Sequence, residues 1–224
     1  MRGVSSLRVR GNLEVETMKL FLAAMLLIVG ARAASAQADG PAAPGKAACD
    51  LTMSQVPGVG ALKLGMTAEQ VLALFPGSAA DPEVRADLSR AANQFGVARF
   101  IIRSDRYQSN EKFAGVSRIT LSLLDGRVST FSISYNGPEW PHVDKFVEKV
   151  TEGTNLPGAD AWEAYDGLDN QLKILKCDDF EIRVFAGGPG GSLNYVLMSD
   201  LAAARTLKER RAKAKEKTGQ EPKP

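Results

Sequence analysis

The chain is poor in the residues that most chemistry needs. It holds a single histidine, His142, and two cysteines, Cys49 and Cys177, among 224 residues. One imidazole excludes histidine-cluster metal sites and leaves His142 as the sole imidazole for any catalytic triad. It falls beside Pro141 in the first turn of an expected helix, where a solvated surface residue is the simpler reading. Charge of neither sign is in excess, since Lys and Arg total 28 and Asp and Glu 26. Aromatic residues make up only 7% of the chain, and no basic face interleaved with them stands out, which argues against nucleic-acid binding. A bilayer span needs about 20 consecutive apolar residues. The apolar run Leu20 to Val29 is half of that.

This short run follows Met18 and Lys19 and precedes Ala33 Ala34 Ser35 Ala36, the pattern of a secretory signal cleaved after Ala36. Residues 1–36 therefore read as an upstream extension plus signal peptide, and 37–48, rich in Ala, Gly and Pro, as a disordered lead. Met18 is the expected start. No cysteine follows closely enough for lipoprotein processing, and signal cleavage leaves no transmembrane segment. The implied location is periplasmic or secreted, where a Cys49–Cys177 disulfide is the simplest use of two cysteines. Removing 1–36 turns the formal charge from +2 to about −1, and the eight basic and three acidic residues of 205–224 leave the body between them near −6. A mildly acidic body thus carries a basic tail, with anionic envelope components as a contact for it. Its weak apolar face, Leu201, Ala204 and Leu207, predicts a solvated, fraying helix from Asp200 to Lys217.

The most structured line of the sequence is Leu64 Gly65 Met66 Thr67, then Gln70, Val71 and Leu72, then Leu74 Phe75 Pro76 Gly77. Thr67 and Gln70 have capping-box spacing, Met66 and Val71 fit a hydrophobic staple, and Pro76 with Gly77 stops the helix. Two turns cannot stand alone, so the helix needs a sheet to lie on. A short strand is expected at Leu51 to Val56. Asp81 Pro82 starts a second helix running toward Gln94 with Val84, Leu88, Ala91 and Phe95 on one stripe. Strands follow at Val97 to Arg103, Ser117 to Leu123 and Arg127 to Tyr135, with Tyr107 to Phe113 as a polar loop. A three-residue loop with Gly126 in a left-handed bulge is expected between the last two, because a two-residue loop sets Leu121 opposite Thr130 and splits the apolar faces. The cycle then repeats: a helix with Val143, Phe146, Val147 and Val150 on one face, and strands near Ala161 to Tyr165, Gln171 to Cys177, Phe180 to Phe185 and Leu193 to Met198. The fold class expected is α+β: two helix-plus-antiparallel-sheet halves, 49–137 and 138–204, forming a helix-on-sheet sandwich before the basic tail 205–224.

The line Leu64 Gly65 Met66 Thr67, Gln70 Val71 and Phe75, followed by Asp125 Gly126 Arg127 Val128, resembles the pattern of the BamE/SmpA and β-lactamase inhibitory protein-like families. The resemblance covers about Leu62 to Tyr135. It implies a small exported fold of helices on an antiparallel sheet that acts by binding other proteins, although the lipidated cysteine of BamE has no counterpart here.

Candidate sites are few, and none is catalytic. Tyr135, Trp140, Trp162 and Tyr165, with Phe146, surround the join of the two halves, as a shared core or as the aromatic centre of a partner site. Asp166, Asp169, Asp178 and Asp179 cluster near strand ends, where turn chemistry is the plain reading and a Ca²⁺ site the sharper one. Gly187 to Gly191 precedes no helix, so it reads as a flexible hairpin loop in preference to a phosphate cradle. No nucleophile, base and orienter set emerges. The expectation is an exported, non-catalytic protein-binding module of the bacterial cell envelope without metal or cofactor; the alternative is an envelope hydrolase or metal-dependent enzyme.

Overall fold

Alternating runs between residues 97 and 200 supply strands that each offer one apolar face, and the structure joins them into one antiparallel sheet. The computed structural model describes residues 49–56, 58–107, 113–168 and 170–218. The signal-like segment and lead, Pro57, positions 108–112, Asp169 and the last six residues lie outside the described residues, as do the expectations that fall on them. The strands are β1 (Val97–Ile102), β2 (Val116–Leu124), β3 (Arg127–Tyr135), β4 (Glu163–Ala164), β5 (Leu172–Lys176), β6 (Phe180–Phe185) and β7 (Tyr195–Asp200). Their order is β1-β2-β3-β7-β6-β5-β4. Strands β1 to β3 precede α3 in the chain and β4 to β7 follow it, and the two sets meet where β3 pairs with β7. Among the described residues four α-helices, α1 (Ala68–Leu72), α2 (Pro82–Ser89), α3 (Val143–Thr151) and α4 (Leu201–Thr218), complete an α+β fold.

One sheet face is the core. Phe100 and Ile102, Ile119 and Leu121, Phe131 and Ile133, Val196 and Met198, and Ile182 and Val184 are all buried there, at alternate positions of five strands. Val71 of α1, Phe75 just after it, and Val143, Phe146 and Val147 of α3 are buried in the same cluster. Full burial of each such side chain contributes about 1.5–3 kcal/mol, which is what holds the five-residue α1 in place. Its cap is as expected: Thr67 Oγ1 accepts from the Gln70 N–H and Gln70 Oε1 from the Thr67 N–H. The cap is tied to the sheet on both sides, Gly65 N–H donating to the Val128 carbonyl and Val128 N–H to that of Met66, each at 2.8 Å.

Three expectations are corrected. The β2–β3 loop has two residues, Asp125 and Gly126, both with positive φ, between the paired Leu124 and Arg127. The apolar faces are nevertheless brought together, because a bulge lies farther in. Leu123 pairs with Val128 but Ser122 with Thr130, so Ser129 is the extra residue and Leu121 meets Phe131. Leu51 to Val56 is not a strand but a turn, closed by the Gln55 and Val56 N–H groups on the Thr52 carbonyl. Helix α2 stops at Ser89, short of Gln94, so Leu88 is exposed and only Val84 of its apolar stripe is buried. What α2 does instead is guard an edge: Asp87 Oδ2 accepts the Ile101 N–H of the edge strand β1 at 3.2 Å.

Candidate functional site

The strand alternation that builds the core also builds a second sheet face. Cross-strand pairing fixes its side chains in rows: Ile101, Thr120, Ser132, Leu197, Arg183 and Ile174 in one, and Arg118, Ser134, Tyr195, Phe185 and Leu172 beside it. Arg99, Ser122, Thr130, Ser199, Glu181 and Lys176 form a third. Short hydroxyl side chains thus fill the centre and arginines lie around them. Leu172 and Ile174 are buried, while most of the rest is half-buried and Ile101 is 39% exposed. Phe185 and Tyr195 stack across β6 and β7, ring centroids 5.3 Å apart at 13°. Arg183 is paired with Glu181 at 2.6 Å.

At one end of this face a polar cavity of about 450 Å³ opens among Arg103, Arg118, Ser134, Asn136 and Tyr195, with Leu193, 59% exposed, at its rim. Its rear is rigid. Asn194 is buried and committed, its Oδ1 accepting from the Gly187 N–H at 3.0 Å and its Nδ2 donating to the Pro138 carbonyl at 2.7 Å. Gly191 has φ 76°, and a Cβ there would stand 2.3 Å from the Pro138 carbonyl oxygen, so this position of the glycine-rich segment is fixed by close packing. The expected flexible loop is therefore a defined turn, held at both ends.

Of the four aromatic residues singled out in the sequence, the structure brings two together. Trp140 stacks on Phe146 at 5.6 Å and Tyr135 meets the same ring edge-on at 5.5 Å, on the core side of the sheet. Trp162 is 3% exposed, its Nε1 donating to the Pro157 carbonyl, and belongs to the core. Tyr165 is exposed in the turn after β4, so the four do not form one surface. Burial alone pushes the Tyr135 hydroxyl up to about 12.

His142 is exposed at the N-cap of α3, with no side-chain capping bond. Asp179 Oδ2 accepts from the Met53 N–H, 126 positions away in the chain, and its carbonyl from the Leu201 N–H, so it ties separate segments together. Among the described residues no group of three or more His, Cys, Asp or Glu side chains is disposed to hold a metal ion. Nor is any described helix long and apolar enough to cross a membrane. Cys49 and Cys177 form a disulfide with their Cα atoms 4.7 Å apart.

The basic tail forms the expected helix, α4 running from Leu201 to Thr218, but it is held to the body in place of the solvated, fraying helix expected. Arg210 grips Asp125 in a fork, Nη1 to Oδ1 at 2.9 Å and Nη2 to Oδ2 at 2.6 Å, while Nη1 also donates to the Phe95 carbonyl. Arg211 lies 6.0 Å from the centre of the Phe95 ring. From Leu201 to Arg210 a helix rises about 13–14 Å, close to the three strand spacings of about 4.8 Å that separate β7 from β1. Helix α4 therefore crosses the hairpin end of the sheet. The Arg210 fork holds the Asp125 carboxyl below the usual carboxylate range.

No family model matches the chain, and no curated protein matches it. Among solved structures, similarity extends to an extracellular protein containing an SCP domain from Bacillus anthracis, at 13% identity and a TM-score of 0.34. It extends also to a cysteine-rich secretory protein from Staphylococcus aureus, at 10% identity and a TM-score of 0.33. In each case 61% of this chain is covered but 44% of the other, so the chain spans less than half the length of either. Likeness at that level carries no functional argument. These findings correct the expected resemblance to the BamE/SmpA and β-lactamase inhibitory protein-like families: neither is what the chain matches, and the Leu64 to Phe75 line is accounted for by its capping box and its pairing with Val128.

Proposed function

We propose that the protein is an exported, non-catalytic module that binds another protein of the bacterial cell envelope through the second face of its sheet. The observation that carries this reading is the content of that face. Thr120, Ser122, Thr130, Ser132 and Ser134 lose little rotamer entropy when covered, and Arg99, Arg118 and the Tyr195–Phe185 stack are the residue types that anchor protein interfaces. Arg99 and Arg118 suit a partner with an acidic surface. Export is supported by the Cys49–Cys177 disulfide and by the apolar run Leu20 to Val29 ahead of Ala33 to Ala36. The two helix-plus-sheet halves then act as one platform joined at β3–β7, and the exposed lysines of α4 add an electrostatic contact to anionic envelope polymers.

Site-specific photo-crosslinking in the envelope tests the reading. A crosslinker at Leu193 should give one discrete adduct that is lost when Arg118→Glu is added, whereas a crosslinker at Glu148 on α3 should give none. Equal adducts at both positions, or an adduct indifferent to Arg118→Glu, would refute it.

A further inference from the structure

On the opposite, helix-covered side of the sheet the core is not closed. A cavity of about 290 Å³ lies between α3, the loop before α1 and the strands, walled by Phe146, Val150, Leu156, Ile182, Val196 and Met198. Among the described residues three polar side chains line it: Tyr135, Lys149 and Thr154. Thr154 is committed, its hydroxyl donating to the Thr151 carbonyl and accepting from the Leu156 N–H. Tyr135 is different. Its ring is fixed edge-on against Phe146, yet its hydroxyl makes no hydrogen bond to any described group, and burial without such a bond is what raises its pKa to about 12. A phenol hydroxyl with no partner among the described residues at the cavity is free to donate, so an acceptor arriving in the cavity can accept from it at no loss of an internal bond. Lys149 stands at the mouth with 65% of its side chain exposed, in a surface ion pair with Glu152 that is easily exchanged.

We propose that this cavity binds a medium-chain monocarboxylate, with the chain against Val150, Leu156, Ile182 and Met198 and the carboxylate between the Tyr135 hydroxyl and Lys149. A water-sized share of liquid volume is about 30 Å³, so 290 Å³ accommodates roughly ten heavy atoms, the size of octanoate. The apolar wall accounts for the chain, the unpartnered phenol for an acceptor, and the ammonium for its negative charge. The inference does not depend on the partner-binding reading, because the two sites lie on opposite faces of the sheet.

Isothermal titration calorimetry of the disulfide-bonded protein with octanoate, octanol and octylammonium is the test. Octanoate should bind at one saturable site with a dissociation constant of about 10 μM to 1 mM, as expected for a ligand of this size, and with a negative heat-capacity change. Tyr135→Phe should weaken it about five- to tenfold. Lys149→Gln should weaken octanoate and leave octanol unchanged. Val150→Trp, which fills the cavity, should abolish binding; Leu156→Trp does the same from the other wall and serves if the first variant does not fold. Arg118→Glu on the second face should leave octanoate binding unchanged. Absence of a saturable octanoate site, binding that persists in a folded filling variant, octylammonium binding as well as octanoate, or indifference to Tyr135→Phe would each overturn the proposal.

Discussion

Replacing both cysteines, as Cys49→Ser with Cys177→Ser, should remove a large contribution to stability. The bridge closes a loop of 128 residues. In the chain-entropy model a loop of that length restricts the unfolded chain by about 5 kcal/mol at 25 °C. For a body of this size each kcal/mol corresponds to about 2–4 °C in Tm, so the double variant should melt roughly 10–20 °C lower. It should still fold, because Val56, Leu62 and Leu64 remain buried after the bridge is gone and Gly65 still pairs with Val128. Scanning calorimetry of the variant, beside the parent with and without reductant, measures the loss. Hydrogen exchange locates it: protection should fall first in residues 51–62, which the bridge ties to the end of β5. A drop of less than about 3 °C in both the variant and the reduced parent would refute the loop-entropy reasoning.

Three further outcomes follow from specific contacts. Thr67→Ala removes the hydroxyl that accepts the Gln70 N–H and should cost about 1 kcal/mol, read as a Tm lower by about 2–4 °C with an unchanged circular dichroism spectrum; an unaltered Tm would show that the cap is idle. Asp81 accepts from the Tyr107 hydroxyl and from the Glu83 N–H, each at 2.7 Å, and these bonds hold its carboxyl below the ordinary carboxylate value. A depressed folded pKa means stabilisation present above the unfolded value of about 4 and lost as pH falls through the folded one; Asp81→Asn should therefore flatten the decline of Tm below pH 4, and a decline as steep as the parent's would remove Asp81 from the account. Arg210→Ala frees Asp125 and the Phe95 carbonyl, so hydrogen exchange in α4 beyond Leu207 should accelerate while the sheet stays protected, and added salt should produce a milder version of the same change in the parent.

What could be read in the sequence is whatever the physics makes local. The capping box spans four residues, and the structure holds it as read. The period-two alternation of Ile119, Leu121 and Leu123, and of Phe131, Ile133 and Tyr135, named the core face of the hairpin because it follows from the pleat alone. The ends of β3 and β6 matched because Gly126 and Asn136 flank the one, and Asp179 and, after Ala186, Gly187 flank the other. The disulfide was legible because two cysteines in a chain that reads as exported leave one pairing. Helix α2 was read too long because Ala91 and Phe95 continue its apolar spacing, while the chain turns at Arg90 to bring Asp87 against the edge of β1. No pattern within the helix signals that.

The bulge and the tail show why the remainder was out of reach. Matching the two apolar faces across β2 and β3 demands one extra residue somewhere on β3, and the sequence states that demand clearly. It does not state where the residue goes. Asp125 and Gly126 both tolerate a positive φ, so the tight two-residue turn costs little and the irregularity moves inward to Ser129, whose Oγ donates to the Ser122 carbonyl and secures it. The consequence reaches the tail. A two-residue turn sets Asp125 at the tip of the hairpin, where Arg210, 85 residues later, closes on it with a planar fork. Amphipathicity measures only how a helix would bury carbon, so a helix pinned by one guanidinium and one cation–π contact reads as unpinned. The second sheet face escaped notice by the same logic: Thr130, Ser132 and Ser134 were legible as the polar half of an alternation, but that Arg99, Arg118 and Tyr195 share their face is a property of register between strands far apart in the chain.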